Sequence, residues 1–482
     1  MLLFFTGMLL LAAGYFTYGK FVEKVIAPDD RDTPARTKFD GVDYVALPHW
    51  KNMLIQLLNI AGVGPVIGVI IGIKFGELVF LIIPLGNIIA GATHDFISGM
   101  MSIRGGGANL PTLVKRNLGG AYSKFFSVFS IFLLLLVVAV FINIPANLFD
   151  KMFPQVQLFW WAVGAIFLYY ALATLFAIDK IIGRFYPLFG AMLVLGTLAI
   201  FVSMVYKMFS DAALLTPTAV FKSVQWSAAN SHPVIPLLFV TIACGIISGF
   251  HATQSPIIAR TMKSEREAKS SFYGMMVLEG FIAMVWAAAA MAVYNKMPEM
   301  FDKNPNDVLL VITRFFLGDY VSVLTVLAVI VLAITSGDTA MRSVRLSFAE
   351  MFSIPQKTLS KRILVCLPFI VIVSALLVWS QADAKSFGNL WNYFAWGNQV
   401  MAASTLYASA VWLFGRARNG LVALVPAVFM CFIVLSYILW ISPKHGGPVG
   451  FGLDLDVAYY VAGALTLAIT FAVCMRAKRG LR

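Results

Sequence analysis

Apolar stretches follow one another along the whole 482-residue chain, most of them close to the ~20 residues that cross a hydrocarbon core as a helix. They fall at about 2–19, 54–73, 77–101, 125–147, 158–178, 186–206, 234–258, 272–294, 320–338, 362–380, 389–414, 420–441 and 457–475, which predicts an all-α polytopic membrane protein of about 13 spans. Two spans are interrupted. The second carries Ile60-Ala61-Gly62-Val63-Gly64-Pro65, and the seventh runs into Ser248-Gly249-Phe250-His251-Ala252-Thr253-Gln254-Ser255-Pro256. Glycine and proline break a helical ladder, so the pattern predicts irregular backbone at both places. In hydrocarbon such backbone survives only inside protein or beside a water-filled cavity.

The polar positions between spans set the topology. Of the 36 Lys and Arg, only Lys74, Lys151, Lys207, Lys222, Lys296, Lys303, Arg314, Lys385 and Lys444 fall in one set of alternate connections. The rest fall in the other set, and basic loops stay cytoplasmic. This predicts an external N-terminus and a cytoplasmic C-terminus. The two broken spans then run in opposite directions with five spans from one to the next, the geometry of an inverted five-helix repeat. The expected organisation is a helix and cytoplasmic loop at 1–53, a first repeat at 54–206, a second at 234–414, and two further helices at 420–482. The arrangement resembles the five-plus-five leucine-transporter fold, in which the first and sixth core helices are broken.

Composition narrows the picture. The chain is 60% hydrophobic and 12% charged, against about 25% charged for a soluble domain. Basic loops account for the net charge of +13 without nucleic acid. Cys244, Cys366, Cys431 and Cys474 lie in or at the end of apolar runs without CxxC spacing, so neither a disulfide nor a cysteine metal site is expected. The first stretch has no basic leader and no Ala-x-Ala site, and reads as a retained helix. Arg104-Gly105-Gly106-Gly107 lacks the following Gly-Lys-Ser/Thr of a phosphate loop. No cofactor, no ATP motif and no paired catalytic constellation stands out, so an enzyme is not expected.

Candidate chemistry gathers at the breaks. Gly62, Gly64 and Gly249 are read as break positions, while Gly68, Gly72 and Gly245 are equally well small residues for close helix packing. Phe250, His251, Thr253 and Gln254 follow the second break, and Asn398 lies in an amide-rich start of the eleventh span; with Gly62, Gly64 and Gly249 these are the candidate substrate contacts. Asp95, beside His94, and Glu279 are ionisable groups within apolar spans, where they are costly and functional by default. Thr335, Ser336 and Asp338 offer hard oxygen ligands, and with carbonyls near Ala61, Gly64 and Ala333 they make a candidate sodium site at Thr335 and Ser336. Proton coupling through Asp95, Glu279, His251 or Asp338 stands beside it as the alternative.

Several strings in order, Asp40-GVDYV, Ile60-AGVGPVIG, Gly91-ATHDF, Ser102-IRGGGANL, Ser248-GFHATQSP, Ser336-GDTAMRS and Leu390-WNYFAWGNQ, resemble the carbon starvation protein A family of bacterial inner-membrane transporters. The resemblance implies uptake of small organic nutrients, peptides or pyruvate, in carbon-limited cells. The expected partners are a small-molecule substrate, a coupling ion, H+ or Na+, and membrane lipid. The expected mechanism is alternating access, with the substrate held between spans 2 and 7. The rival reading is a membrane-embedded nutrient sensor that binds without transporting.

Overall fold

A computed structural model describes residues 2–153, 155–175, 182–216, 232–356, 358–382 and 385–480, and it is helical throughout, with no strand among the described residues. Of the basic residues that set the topology, Lys180, Lys222, Lys357 and Arg482 lie outside them. The helices are α1 (Leu2–Phe16), α2 (Tyr18–Ile26), α3 (His49–Ile60), α4 (Gly64–Phe75), α5 (Val79–Arg104), α6 (Leu110–Leu118), α7 (Gly120–Met152), α8 (Phe159–Leu175) and α9 (Ile182–Ser210). A segmented run over 234–246 follows, then α11 (Gly249–Ala259), α12 (Glu265–Lys296), α13 (Pro305–Met351), α14 (Leu359–Ser380), α15 (Ser386–Phe414), α16 (Leu421–Trp440) and α17 (Leu455–Gly480). We call the segmented run α10.

Every apolar stretch of the sequence carries helix. Nine helices among the described residues are long and apolar enough to cross a membrane by themselves, or ten if the bent pair α3–α4 counts as one span. The remaining stretches fall short of that test for physical reasons: the α10–α11 stretch is broken, α8 is short, and α15 carries Asn392, Asn398 and Gln399. The boundaries also shift. Helix runs on through residues 18–26 and long helix begins again at 49, so the expected loop over 20–53 shrinks to 27–48, with a single helical turn at Pro34–Thr37. α13 begins at Pro305, well before the stretch at 320, and turns at Gly318, whose φ of 69° suits glycine.

The first break is a 52° bend between α3 and α4 across Ala61-Gly62-Val63. The second is narrower than the pattern implied. Ile247 (φ −165°, ψ 136°) and Ser248 (φ −136°, ψ 130°) are extended, but helix resumes at Gly249 and includes Pro256. The expectation of irregular backbone across 248–256 is therefore corrected to two residues. All of α11 is buried in protein, so its polar side chains find partners without disrupting the backbone ladder.

The two breaks pack on each other. A Cβ on Gly64 would lie 2.3 Å from the Cys244 side chain, one on Gly68 2.8 Å from the Thr241 carbonyl, and one on Gly72 2.0 Å from Ile242. The four-residue glycine spacing thus lets α4 approach the backbone of α10, as small-residue stripes do between membrane helices.

The charged ends sort onto two faces. Lys74 donates to the Phe301 carbonyl, and Lys151–Asp307 and Lys296–Asp211 pair on one of them. On the other, Arg104 meets Glu265 at 2.8 Å, Lys38 reaches the Gly106 carbonyl at 2.9 Å and Arg260 the Gly107 carbonyl at 2.9 Å. These contacts join residues that the sequence assigned to the same side; we call the second face the basic face.

Candidate functional site

Directly after the second break, α11 aims His251 at α5 and α12. Its Nδ1 hydrogen-bonds Asp95 Oδ2 at 3.0 Å, and its Nε2 stands 3.7 Å from Glu279 Oε2. Asp95 Oδ1 in turn accepts from His94 Nδ1–H at 2.8 Å. The result is a continuous series, Glu279–His251–Asp95–His94, at most 1% exposed and spanning three helices. The sequence offered these residues as separate candidates, with His251 on the substrate side; the fold gathers them into one cluster.

The hydrogen-bond inventory constrains the protons. With Asp95 ionised, both imidazoles place Nδ1–H on its carboxylate, which can only accept. His251 Nε2 is therefore a bare acceptor when the ring is neutral and a donor when it is charged. Opposite it, both Glu279 oxygens lack a hydrogen-bond partner, as does His94 Nε2. A protonated Glu279 can donate to the bare His251 Nε2, and an ionised Glu279 can accept from it when the ring carries a proton there. Closing 3.7 Å to a hydrogen bond of ~2.8 Å needs only a side-chain rotation.

Local sequence explains why α5 presents Asp95 here. A widened π-type turn at Asn87–Gly91 precedes it, and such turns re-aim the following helix at functional sites. Asn87 in that turn donates to the Gly245 carbonyl at 3.2 Å and the Met276 carbonyl at 2.9 Å. Gly245 is in the last turn before the break, so its carbonyl has no helical partner. Asn87 was not singled out from sequence; a lone amide inside the apolar run 79–91 is the signal that marks it. Ser98 and Ser255 meet at 3.2 Å one turn further along α5 and α11.

The other candidates separate. Phe250 packs edge-on against Phe141 at 5.9 Å, which also meets Phe394 at 5.8 Å. Thr253 caps back to the Phe250 carbonyl, and Gln254 donates to Thr253 and to Ser343 on α13, away from the break. Gly249 faces α15: a Cβ there would lie 2.4 Å from the Ala402 amide and 2.5 Å from the Asn398 carbonyl. Gly62 lies under the Phe141 ring and 3.6 Å from Ser336 Oγ on the same measure. The side-chain amides of Asn398 and, on α3, of Gln56 and Asn59 are buried without hydrogen-bond partners. Such groups cost about 1–3 kcal/mol each when left unpaired. Gln56 and Asn59 also escaped the sequence reading.

On α13, Ser336 Oγ donates to the Leu58 carbonyl at 2.9 Å, next to the first break, while Thr335 Oγ1 turns to the Leu332 carbonyl of its own helix. Ala61 and Ala333 are buried in the same region. Asp338 faces elsewhere: Oδ2 accepts from Tyr169 at 3.1 Å and from Tyr186, whose hydroxyl also lies 3.2 Å from the Thr335 carbonyl. Asp338 Oδ1 has no hydrogen-bond partner among the described residues.

Comparison with known proteins places this geometry. The family profile described as "Carbon starvation protein CstA" matches residues 1–231, 191–319 and 310–437. The chain belongs to the carbon starvation protein CstA family. A Haemophilus influenzae protein described as an uncharacterized membrane protein is 39% identical over 347 residues, covering 61% of this chain and 92% of that one. The peptide transporter CstA of Bacillus subtilis is 24% identical over 534 residues, 89% of this chain and 88% of the relative. The pyruvate/proton symporter BtsT of Escherichia coli is 24% identical, but over 57% of this chain and 47% of its own length. Among solved structures, the Eremococcus coleocola manganese transporter aligns with a TM-score of 0.59 at 13% identity, covering 92% of this chain and 99% of that one. A Na+-coupled sialic acid symporter aligns at 0.54 and 15% identity, covering 95% and 97%. The fold of this CstA-family chain is thus that of the leucine-transporter type, and family and fold together identify a polytopic secondary transporter.

Proposed function

We propose that this protein imports a small carboxylate-bearing nutrient, a peptide or a pyruvate-like acid, across the inner membrane by alternating access, and that protons drive it through Glu279, His251, Asp95 and His94. The observation that carries the reading is the buried series of titratable groups beside the second break. A proton passing between Glu279 and His251 changes the charge pairing between α11 and α12 at the point where the backbone is already unwound, so protonation and hinge position are linked. The names of the B. subtilis and E. coli relatives, a peptide transporter and a pyruvate/proton symporter, support the substrate class and the ion. The manganese of the structural neighbour is not carried over: among the described residues no group of three or more His, Cys, Asp and Glu is arranged to hold a metal ion. By the bias of its basic residues the basic face is cytoplasmic.

A second reading keeps sodium, because Ser336 touches the Leu58 carbonyl beside the first break. Uptake of labelled pyruvate and of a labelled dipeptide into proteoliposomes, in sodium or choline buffer, with and without an imposed pH gradient, separates the two. The proton reading expects accumulation driven by the pH gradient, equal in both buffers and lost in His251→Gln. Accumulation driven by sodium at constant pH transfers coupling to Thr335 and Ser336. Binding without accumulation under either gradient makes the protein a sensor instead.

A further inference from the structure

On the basic face, the loop over 27–48 folds back as a strap. Thr33 donates to the Met262 carbonyl at 2.6 Å, and Leu47 N–H to the Thr261 carbonyl at 2.9 Å. The strap carries Asp43 down to the end of α13, where Arg342 and Arg345 are both fully buried. Asp43 Oδ1 accepts from Arg342 Nη1 at 3.0 Å but stands 3.7 Å from Arg345 Nη2, beyond hydrogen-bond reach. Arg345 Nη1 donates to Gln356 at 2.9 Å, while its Nε and Nη2 have no hydrogen-bond partner. Those two groups form one edge of the guanidinium, the fork whose parallel N–H bonds match the two oxygens of a carboxylate. Arg260, also buried, donates only to the Gly107 carbonyl and Asn109 among the described residues, and adds positive charge nearby. The Nε–Nη2 edge of the buried Arg345 meets Asp43 only as a distant ion pair, and its desolvation cost is met in full only when both N–H groups are bonded.

We propose that the Nε–Nη2 edge of Arg345 binds a small carboxylate anion, with Asp43 as the built-in competitor that holds the site half-filled. This site lies with the strap and the end of α13, apart from the two breaks, and it does not depend on the coupling ion. In the bound form the ligand's carboxylate takes both N–H groups of Arg345 and leaves Asp43 to Arg342. The recognised chemistry is a single carboxylate on a small body.

The test uses the purified full-length protein and sodium acetate as the probe. Its melting temperature is followed against acetate concentration at ionic strength held constant with sodium chloride. The wild type is expected to show a saturable, acetate-dependent rise, because a ligand that binds only the folded state stabilises it. Asp43→Asn removes the competitor and is expected to tighten acetate binding by about tenfold or more. Arg345→Lys keeps the charge but loses the fork, and is expected to abolish the rise. Gly249→Leu, which alters the second break, is expected to retain it. No acetate-specific rise in wild type and Asp43→Asn, an unchanged affinity in Asp43→Asn, or a rise that persists in Arg345→Lys overturns the proposal. A rise lost in Gly249→Leu but kept in Arg345→Lys assigns acetate to the break and likewise overturns it.

Discussion

Glu279 and His251 stand 3.7 Å apart, and the residue scale is where the proposed proton coupling is tested most directly. Glu279→Gln keeps the shape of the side chain but removes its titration. It is expected to reduce gradient-driven accumulation to simple equilibration, while exchange of labelled for unlabelled substrate across the proteoliposome membrane continues. If Glu279→Gln accumulates substrate normally, the relay does not carry coupling. Asp43 supplies a second test at this scale. Burial pushes its carboxyl upward, but the guanidiniums of Arg342, Arg345, Arg260 and Arg362 outweigh burial and hold it below the ordinary carboxylate value. A lowered folded value gives stability that is present above the unfolded pKa of about 3.9 and is lost as pH falls through the folded value. The melting temperature of the wild type is therefore expected to fall more steeply below about pH 4 than that of Asp43→Asn.

At the scale of elements, the second break is a place where helices approach closely. Gly249 sits against the α15 backbone at Ala402 and Asn398, with no room for a methyl group. Gly249→Ala is therefore expected to destabilise the fold by about 1–3 kcal/mol, the usual cost of overpacking, visible as a lower melting temperature. Gly249→Leu is expected to abolish uptake while the protein still inserts into the membrane, because the α11–α15 crossing is lost. Normal uptake by Gly249→Leu removes the break from the transport cycle. The contact of α13 with α3 through Ser336 makes a separate prediction. Should sodium enter the cycle, Thr335→Ala with Ser336→Ala raises the sodium concentration for half-maximal uptake by roughly 5- to 150-fold, the equivalent of about 1–3 kcal/mol for a lost polar partner.

Over the whole molecule, the two charged faces and the strap define what has to move. The strap is tied to 261–266 by Thr33, Leu47 and the Asp30–Arg266 pair at 2.5 Å, to α5 by Arg104 donating to the Ala27 carbonyl, and to α12 by Asp29 N–H donating to Glu265. In the proposed alternating-access cycle, opening this face requires those ties to part. A disulfide formed between Thr33→Cys and Met262→Cys is expected to stop uptake, with recovery on reduction. Continued uptake with the disulfide formed means that the strap does not move in the cycle. Sidedness is tested by reporter fusions: those after residues 112 and 350 are expected to read cytoplasmic, and those after 300 and 450 external. A cytoplasmic signal at 300 removes the antiparallel relation of the two breaks.

The sequence by itself determined the helical membrane architecture, because ~20-residue apolar runs leave a chain in lipid no other way to satisfy its backbone. It also marked the two breaks, since Gly62, Gly64 and Ser248-Gly249 interrupt otherwise continuous spans, and it placed Asp95, His251 and Glu279 among the candidates, since ionisable groups in apolar runs are conspicuous by their cost. Only the tertiary structure decided that these three meet, because they lie on separate helices and their contacts are set by packing rather than by spacing. It alone reduced the second break to Ile247 and Ser248, since burial of every residue of α11 lets a run of polar side chains remain helical. It alone joined Asp43 to Arg342 and Arg345 across about 300 residues of chain. Read singly, those charges look like ordinary loop and helix-end residues; a buried arginine with an edge that makes no hydrogen bond is a property of the fold.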